Sequence, residues 1–200
     1  MRAPVTGSRV LLVRHARTAL NAAGLLRGHL DPELDEVGRA EAQALAGALA
    51  PWQPGRIVSS PLRRAVQTAA AIGRRVGVPV IVEPRLIDRD YGRWAGHPAA
   101  EVITRFGSLG GAPDVEPVQA LRYRAGISLD QQLSYLGARP VVLVSHDIVL
   151  RELLAMLDPE LGPADWIGQR TACFNELVHD TGTWRVRQVD QKPVPVAVAR

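Results

Sequence analysis

Two short apolar runs dominate the pattern: Val10-Leu11-Leu12-Val13 and Val141-Val142-Leu143-Val144. Runs this short and this rich in branched residues read as buried strands, spanning Arg9–Arg14 and Pro140–Ser145. Arg56–Ser59 and Val78–Val82, the latter despite Pro79, read as two further strands. Cys173–Asp180 and Thr183–Val189 alternate well enough for a hairpin around Asp180-Thr181-Gly182. Between them the apolar spacing becomes helical. Val37, Ala40, Ala44, Leu45, Ala48 and Leu49 line one face of a helix that Asp35 can cap and that ends near Pro51. Ser60-Pro61 predicts a second helix start, with Ser60 at the N-cap, running to Val76 before Gly77. Pro98–Phe106 and Val118–Leu136, the latter interrupted near Gly126, predict two more. Asp147–Leu157 predicts another, ended by Asp158-Pro159.

Strands alternating with helices predict one α/β domain, a three-layer sandwich with a mostly parallel central sheet and helices on both faces. Residues 1–8 read as a flexible arm, 9–190 as the single domain and 191–200 as a Pro- and Val-rich tail. The loops fall at 16–35, at 86–96 with short extended pieces, and at 107–117, a Gly- and Pro-rich loop or mobile lid.

At 200 residues, 46% hydrophobic and 22% charged, the chain has the make-up of a soluble globular protein. No apolar run reaches a membrane span, and the N-terminus lacks an apolar signal core. With Cys173 the only cysteine, there is no intramolecular disulfide and no cysteine metal cluster. This fits a reducing cytoplasm. The net charge is +4, carried almost entirely by arginine, since Lys192 is the only lysine. The arginines are dispersed and only nine residues are aromatic, which argues against nucleic acid and for a small anionic partner. Oligomeric state is open, a homodimer among the alternatives.

Four local features stand at predicted strand ends or helix starts: Arg14-His15, Ser59-Ser60-Pro61-Leu62-Arg63-Arg64, Asp88, and Ser145-His146-Asp147. Ligands of open α/β sheets lie at the carboxyl ends of the strands. Two histidines and two arginines converging there suit a phosphoryl group. Arginine offers a planar fork of donors matched to phosphate oxygens. A neutral imidazole can act as a nucleophile, and a second, protonated one can bind developing charge.

At these residues the chain resembles a known family. Leu12-Val13-Arg14-His15-Ala16-Arg17-Thr18-Ala19-Leu20-Asn21 is similar to the Arg-His-Gly-Glu-Thr-x-x-Asn signature of the histidine phosphatase superfamily, the phosphoglycerate-mutase-like group. Gly28-His29-Leu30-Asp31-Pro32-Glu33-Leu34 continues the likeness. Ser59-Ser60-Pro61-Leu62-Arg63-Arg64-Ala65-Val66-Gln67-Thr68-Ala69 matches the family's second motif almost residue for residue. Leu86–Gly96 looks like its acid-bearing loop, and Val144-Ser145-His146 like its last motif. Four motifs in the family's order make a specific signal. The resemblance implies that His15 attacks phosphorus to form a phosphohistidine. Arg14, Arg64, Asn21 and His146 would hold the phosphoryl oxygens, with Gly28 and Arg17 beside them. An acid would protonate the leaving alkoxide, and no cofactor or metal would be needed.

Three departures stand out. Ala16-Arg17 replaces the family's Gly-Glu, so Arg17 adds positive charge near the mouth, where it would meet an anionic substrate. Asp88 stands where the usual acid is Glu, roughly 1.5 Å shorter in reach. Asp147 follows His146 where mutase-like members carry Gly, while the phytase branch uses a His-Asp pair with the Asp as donor. Asp88 is the favoured acid because its surrounding loop is mutase-like; Asp147 reads equally as a helix cap. Asn21 also reads as a plain turn residue, and Trp94 as packing. Arg124 sits near the place of a family Arg, though Glu116-Pro117 matches that motif poorly. The expected reaction is hydrolysis of a small phosphomonoester. A phosphoglycerate mutase is the first rival, disfavoured by a missing Lys in the acid loop. A catalytically weak phospho-ligand binder is the second.

Overall fold

Leu11 and Val13 leave one face of the first strand, Val10 and Leu12 the other, and all four are fully buried. That period-2 alternation, inside a run with no polar residue, requires cover on both faces of the sheet. The computed structural model describes residues 7–135, 137–180 and 183–193. Its elements in order are β1 (Arg9–Arg14), α1 (Ala19–Ala22), α2 (Glu36–Leu49), β2 (Arg56–Ser59), α3 (Arg63–Val76), β3 (Val80–Val82), α4 (Ala99–Phe106), α5 (Val118–Leu133), β4 (Val141–Ser145), α6 (Asp147–Leu157), β5 (Phe174–Asp180) and β6 (Thr183–Gln191).

The sheet runs β3-β2-β4-β1-β5-β6. β3, β2, β4 and β1 are parallel, and β5 and β6 add an antiparallel edge. Leu45 and Leu49 of α2 and Ala65, Ala69 and Ile72 of α3 pack on the face with Leu11, Val13, Ile57, Val142 and Val144. Leu121, Ala125 and Leu129 of α5 and Val149, Leu150 and Leu153 of α6 pack on the other, with Val10, Leu12, Val58 and Leu143. The predicted three-layer α/β sandwich is the fold.

Local chemistry sets the boundaries. Asp35 caps α2 as predicted, its carboxylate accepting from the Gly38 amide at 2.7 Å. Gly77 ends α3 at φ +73°, in the left-handed region that favours glycine.

Several expectations need correction. Ser60 is not the cap of α3: the cap position is Leu62, and the Ser60 hydroxyl is engaged elsewhere. α5 runs unbroken through Gly126, whose missing side chain faces Met156 of α6. A lone glycine costs about 1 kcal/mol in a helix, which packing on a neighbour can outweigh. β3 begins at Val80, two residues late, and a short helix, α1, forms inside the 16–35 loop. The 86–96 loop carries a 3-10 turn at Gly92–Trp94 and the end of another at Leu86, with irregular chain between them.

Segment 107–117 is a largely exposed loop anchored at Ala112 and Pro113. Ala112 is buried with Leu26, Tyr91, Trp94 and Val102, and the Trp94 indole donates to the Pro113 carbonyl at 2.9 Å. At the ends, the Gly7 amide donates to the His179 carbonyl and the His179 amide to that of Ser8. β6 extends to Gln191, and Lys192 pairs with Glu41 at 2.6 Å. Residues 1–6 of the expected arm, 194–200 of the tail and Thr181-Gly182 of the hairpin turn lie outside the described residues.

Candidate active site

β1 and β4 lie side by side, parallel, with Arg14 opposite Ser145. The residue after each strand is a histidine, so the sheet delivers His15 and His146 to the same edge. The His15 amide donates to the Ser145 carbonyl at 3.0 Å. The two rings are 5.1 Å apart, centroid to centroid, and both side chains are buried.

His15 Nδ1 is 2.7 Å from the Ala16 carbonyl oxygen. A carbonyl can only accept, so Nδ1 carries the proton and Nε2 keeps its lone pair. Nε2 is buried and meets no hydrogen-bond partner. Burial holds the His15 pKa well below 6.5, reinforced by the charges of His146, Arg64 and Arg14. The ring is therefore neutral at physiological pH, with a free nitrogen aimed away from its anchor. The loop behind it is fixed by α3: the Ala16 amide donates to Thr68 Oγ1 at 3.0 Å, and that hydroxyl donates to the Arg64 carbonyl.

Arg64, in the first turn of α3, is fully buried. Its Nη2 donates to the Gly28 carbonyl and to Asp88 Oδ2, each at 2.9 Å, and its Nη1 to the Leu30 carbonyl at 2.7 Å. Arg14 donates to the Gln169 carbonyl and lies 3.4 Å from Asp147 Oδ2. His146 places Nε2 2.7 Å from Ser60 Oγ and Nδ1 3.7 Å from Asp88 Oδ2. Burial, then the charges of Arg64, Arg27, Arg14 and Arg124, also hold its pKa well below 6.5.

Asp88 is 2% exposed. Besides Arg64, its carboxylate accepts from the Arg89 amide at 2.9 Å. Its loop is drawn inward: Arg124 donates to the carbonyls of Arg85, Ile87 and Asp88, and His29 Nε2 also bonds that of Asp88. Arg124 is in turn paired with Glu116 at 2.7 Å. The missing methylene of Asp88 is thus made up by a loop strapped close to His146. Next along the chain, Arg89 lines a cleft of 570 Å³ that also involves Leu109, Arg122, Ile148 and Asp165.

Asp147 stands apart from this cluster. One oxygen accepts from Arg151, one turn along α6, and the other faces Arg14. Its geometry is that of a carboxylate holding Arg14 in place.

Three further expectations place differently. Arg17 turns to the start of α2, its Nε donating to Asp35 at 3.0 Å and its amide to Glu41 at 2.9 Å. Asn21 Oδ1 accepts from the amide and hydroxyl of Thr18, closing the cap of α1. Gly28 serves through its carbonyl on Arg64. At φ +47° a Cβ there would stand 3.1 Å from both the Arg89 oxygen and the Tyr91 ring.

Among the described residues six buried side-chain nitrogens lack a hydrogen-bond partner: His179 Nδ1 at the far end of β5, and Arg14 Nε, His15 Nε2, Arg27 Nε, Arg64 Nε and His146 Nδ1. Four belong to the residues just described. Buried polar atoms are normally satisfied, so such a cluster is the signature of a site for a polyvalent anion. Among the described residues no group of three histidine, cysteine or acidic side chains could hold a metal ion.

A model of the histidine phosphatase superfamily, branch 1, matches residues 10–192, which span the whole sheet and every residue of this cluster. The chain belongs to that superfamily. As a histidine phosphatase it is 35% identical over 196 residues to the glucosyl-3-phosphoglycerate phosphatase of Mycobacterium tuberculosis, covering 88% of this chain and 86% of that one. It is 31% identical over 165 residues to phosphoserine phosphatase 1 of Hydrogenobacter thermophilus, covering 74% and 75%. The solved structure of the mycobacterial glucosyl-3-phosphoglycerate phosphatase in complex with VO3 superposes with a TM-score of 0.79, at 30% identity over 92% of this histidine phosphatase and all of that chain.

Ser60 was read in the sequence only as a helix cap, and Gln169 was not singled out. Ser60 reads locally as a helix cap, and only the tertiary structure brings its hydroxyl to a histidine 86 positions away. Gln169 acts through its backbone, which no side-chain motif reports.

Proposed function

We propose that this protein is a phosphatase that hydrolyses small phosphomonoesters through a phosphohistidine on His15. The observation that carries the reading is the free Nε2 of a neutral, buried imidazole ringed by Arg14, Arg64 and His146. Relatives more than 30% identical over most of the chain are named as phosphatases of small phosphorylated compounds, which favours hydrolysis over mutase transfer.

In the first step Nε2 attacks phosphorus as the ester P–O bond breaks. Arg14 and Arg64 neutralise charge on the three non-bridging oxygens, and His146 Nδ1–H donates to one of them. The substrate anion takes Arg64 Nη2 from Asp88, which takes up a proton from solvent and gives it to the departing alkoxide. In the second step Asp88 takes a proton from water, whose oxygen attacks the phosphohistidine, releasing inorganic phosphate and regenerating neutral His15. Splitting the displacement in two is the gain from a covalent nucleophile. The leaving group occupies the cleft beside Arg89.

The test is turnover of p-nitrophenyl phosphate in EDTA. Release of p-nitrophenol by the wild type is expected; no hydrolysis of any phosphomonoester in a broad panel would overturn the reading. The acid is tested with Asp88→Asn and Asp147→Asn. Asp88→Asn is expected to slow hydrolysis of alkyl phosphates by about 10²–10⁴-fold, and p-nitrophenyl phosphate, whose leaving group needs little protonation, much less. Asp147→Asn, by loosening Arg14, should raise KM for both alike. The reverse pattern would move the proton donor to Asp147.

A further inference from the structure

Arg27 belongs to no motif in the sequence, yet its surroundings are those of the site. The turn that follows it is fastened to Arg64 through the Gly28 and Leu30 carbonyls, and the Arg27 carbonyl accepts from the Leu30 amide at 2.9 Å. The side chain folds back, Nη1 donating to the Leu25 carbonyl at 3.0 Å. Nε is buried and meets no acceptor. Every other arginine named around the site faces a carboxylate or a backbone carbonyl across the chain; Arg27 has only this local carbonyl, and none of the ion pairs among the described residues includes it. Its charge is nonetheless felt at Arg14, Arg64 and His146, the three groups assigned to the phosphoryl oxygens. Arg27 as a residue is half-buried, so the feature to explain is its Nε, an enclosed donor with no acceptor. Holding another guanidinium against those of Arg14 and Arg64 is unfavourable unless an anion comes between them.

We infer that Arg27 is a third guanidinium of the phosphoryl-binding set, its Nε donating, beside Arg14 and Arg64, to an oxygen of the bound phosphoryl group. The inference rests on the phosphatase reading above and adds a binding residue to it. With three arginines around the three equatorial oxygens, the site favours the fully ionised phosphoryl group and the charge spread over it during transfer. The segment that delivers Arg27 is the same turn that positions Arg64, so both arms close on the anion from one scaffold.

The test compares wild type, Arg27→Gln and Arg27→Lys in EDTA. The substrates are p-nitrophenyl phosphate, which carries no second anion, and phosphoserine, which carries a carboxylate. Orthovanadate, a five-coordinate mimic of the transferring group, is the inhibitor. Arg27→Gln is expected to lower kcat/KM about 10- to 100-fold on both substrates and to weaken vanadate inhibition by a similar factor. Arg27→Lys should recover part of the loss by restoring charge without the fork. Loss on phosphoserine alone, with vanadate inhibition unchanged, would assign Arg27 to the leaving group and overturn the inference. So would wild-type kinetics in both variants. Thermal melting checks that each variant folds; if Arg27→Gln does not, vanadate inhibition of Arg27→Lys decides, and wild-type strength there overturns the inference. Failure of the wild type to hydrolyse either substrate would count against the phosphatase reading itself. Calorimetric binding of vanadate, weaker in Arg27→Gln than in wild type, would still report on Arg27.

Discussion

His15→Ala eliminates turnover, lowering kcat by about 10⁴-fold or more, because it removes the atom that forms the covalent bond. The fold tolerates the change: the histidine sits at the strand end, and β1 keeps its pairing with β4 and β5 through backbone bonds. The same residue fixes the pH behaviour. Burial, then His146, Arg64 and Arg14, hold its pKa below 6.5, so the free enzyme keeps its nucleophile as pH falls through that value. The acid limb of kcat/KM for p-nitrophenyl phosphate is therefore expected below pH 6.5. Stability moves the other way. In the unfolded chain His15 and His146 take up protons near pH 6.5, while in the folded chain they resist, so acidification below 6.5 favours unfolding. Melting curves of the wild type should fall between pH 7 and pH 5, and His15→Ala should flatten part of that fall.

Arg64→Met removes activity and stability together. The guanidinium holds the Gly28 and Leu30 carbonyls and Asp88, and the Arg64 and Asp88 side chains are both buried. Its loss strands a buried carboxylate, which costs about 3–5 kcal/mol. In a chain of this length that lowers Tm by on the order of 10 °C. Turnover of p-nitrophenyl phosphate should drop by about 10³-fold, since a charge-assisted donor to the transferring group is lost and the 27–30 turn is released. Adding Asp88→Leu to Arg64→Met should restore part of the Tm and none of the activity, because the unpaired charge is gone but the donors are not replaced. A double variant as unstable as the single one would contradict the pairing seen here.

The sheet was legible in the sequence because burial on both faces writes itself as an uninterrupted apolar run. Val10–Val13 and Val141–Val144 are the two runs of four consecutive branched apolar residues that this reading rests on. The two histidines and Arg14 were legible for the same reason, since a charged residue at the end of such a run must emerge at the sheet edge. Residues whose partners lie far away in sequence were not. Ser60 satisfied every local rule for a helix cap, yet its hydroxyl serves His146. Asn21 and Arg17, placed at the phosphoryl group by motif, turn Oδ1 to Thr18 and Nε to Asp35, and the Arg17 amide donates to Glu41. Arg27 carried no local signal at all, because its position depends on a turn tied to a helix more than thirty residues on. Between Asp88 and Asp147 the sequence favoured Asp88 only through the likeness of its loop. The geometry separates them, one beside His146 and Arg64 and the other behind Arg14.

The measurement that bears most directly on the account is a search for phosphate on His15. Wild-type protein mixed with a phosphomonoester, quenched in alkali within a single turnover and digested, should yield one phosphorylated peptide, its phosphate on His15, stable to base and lost in acid. His15→Ala should yield none. Turnover without any such species, or phosphate trapped on His146 or another residue, would contradict the assignment of His15 as the nucleophile.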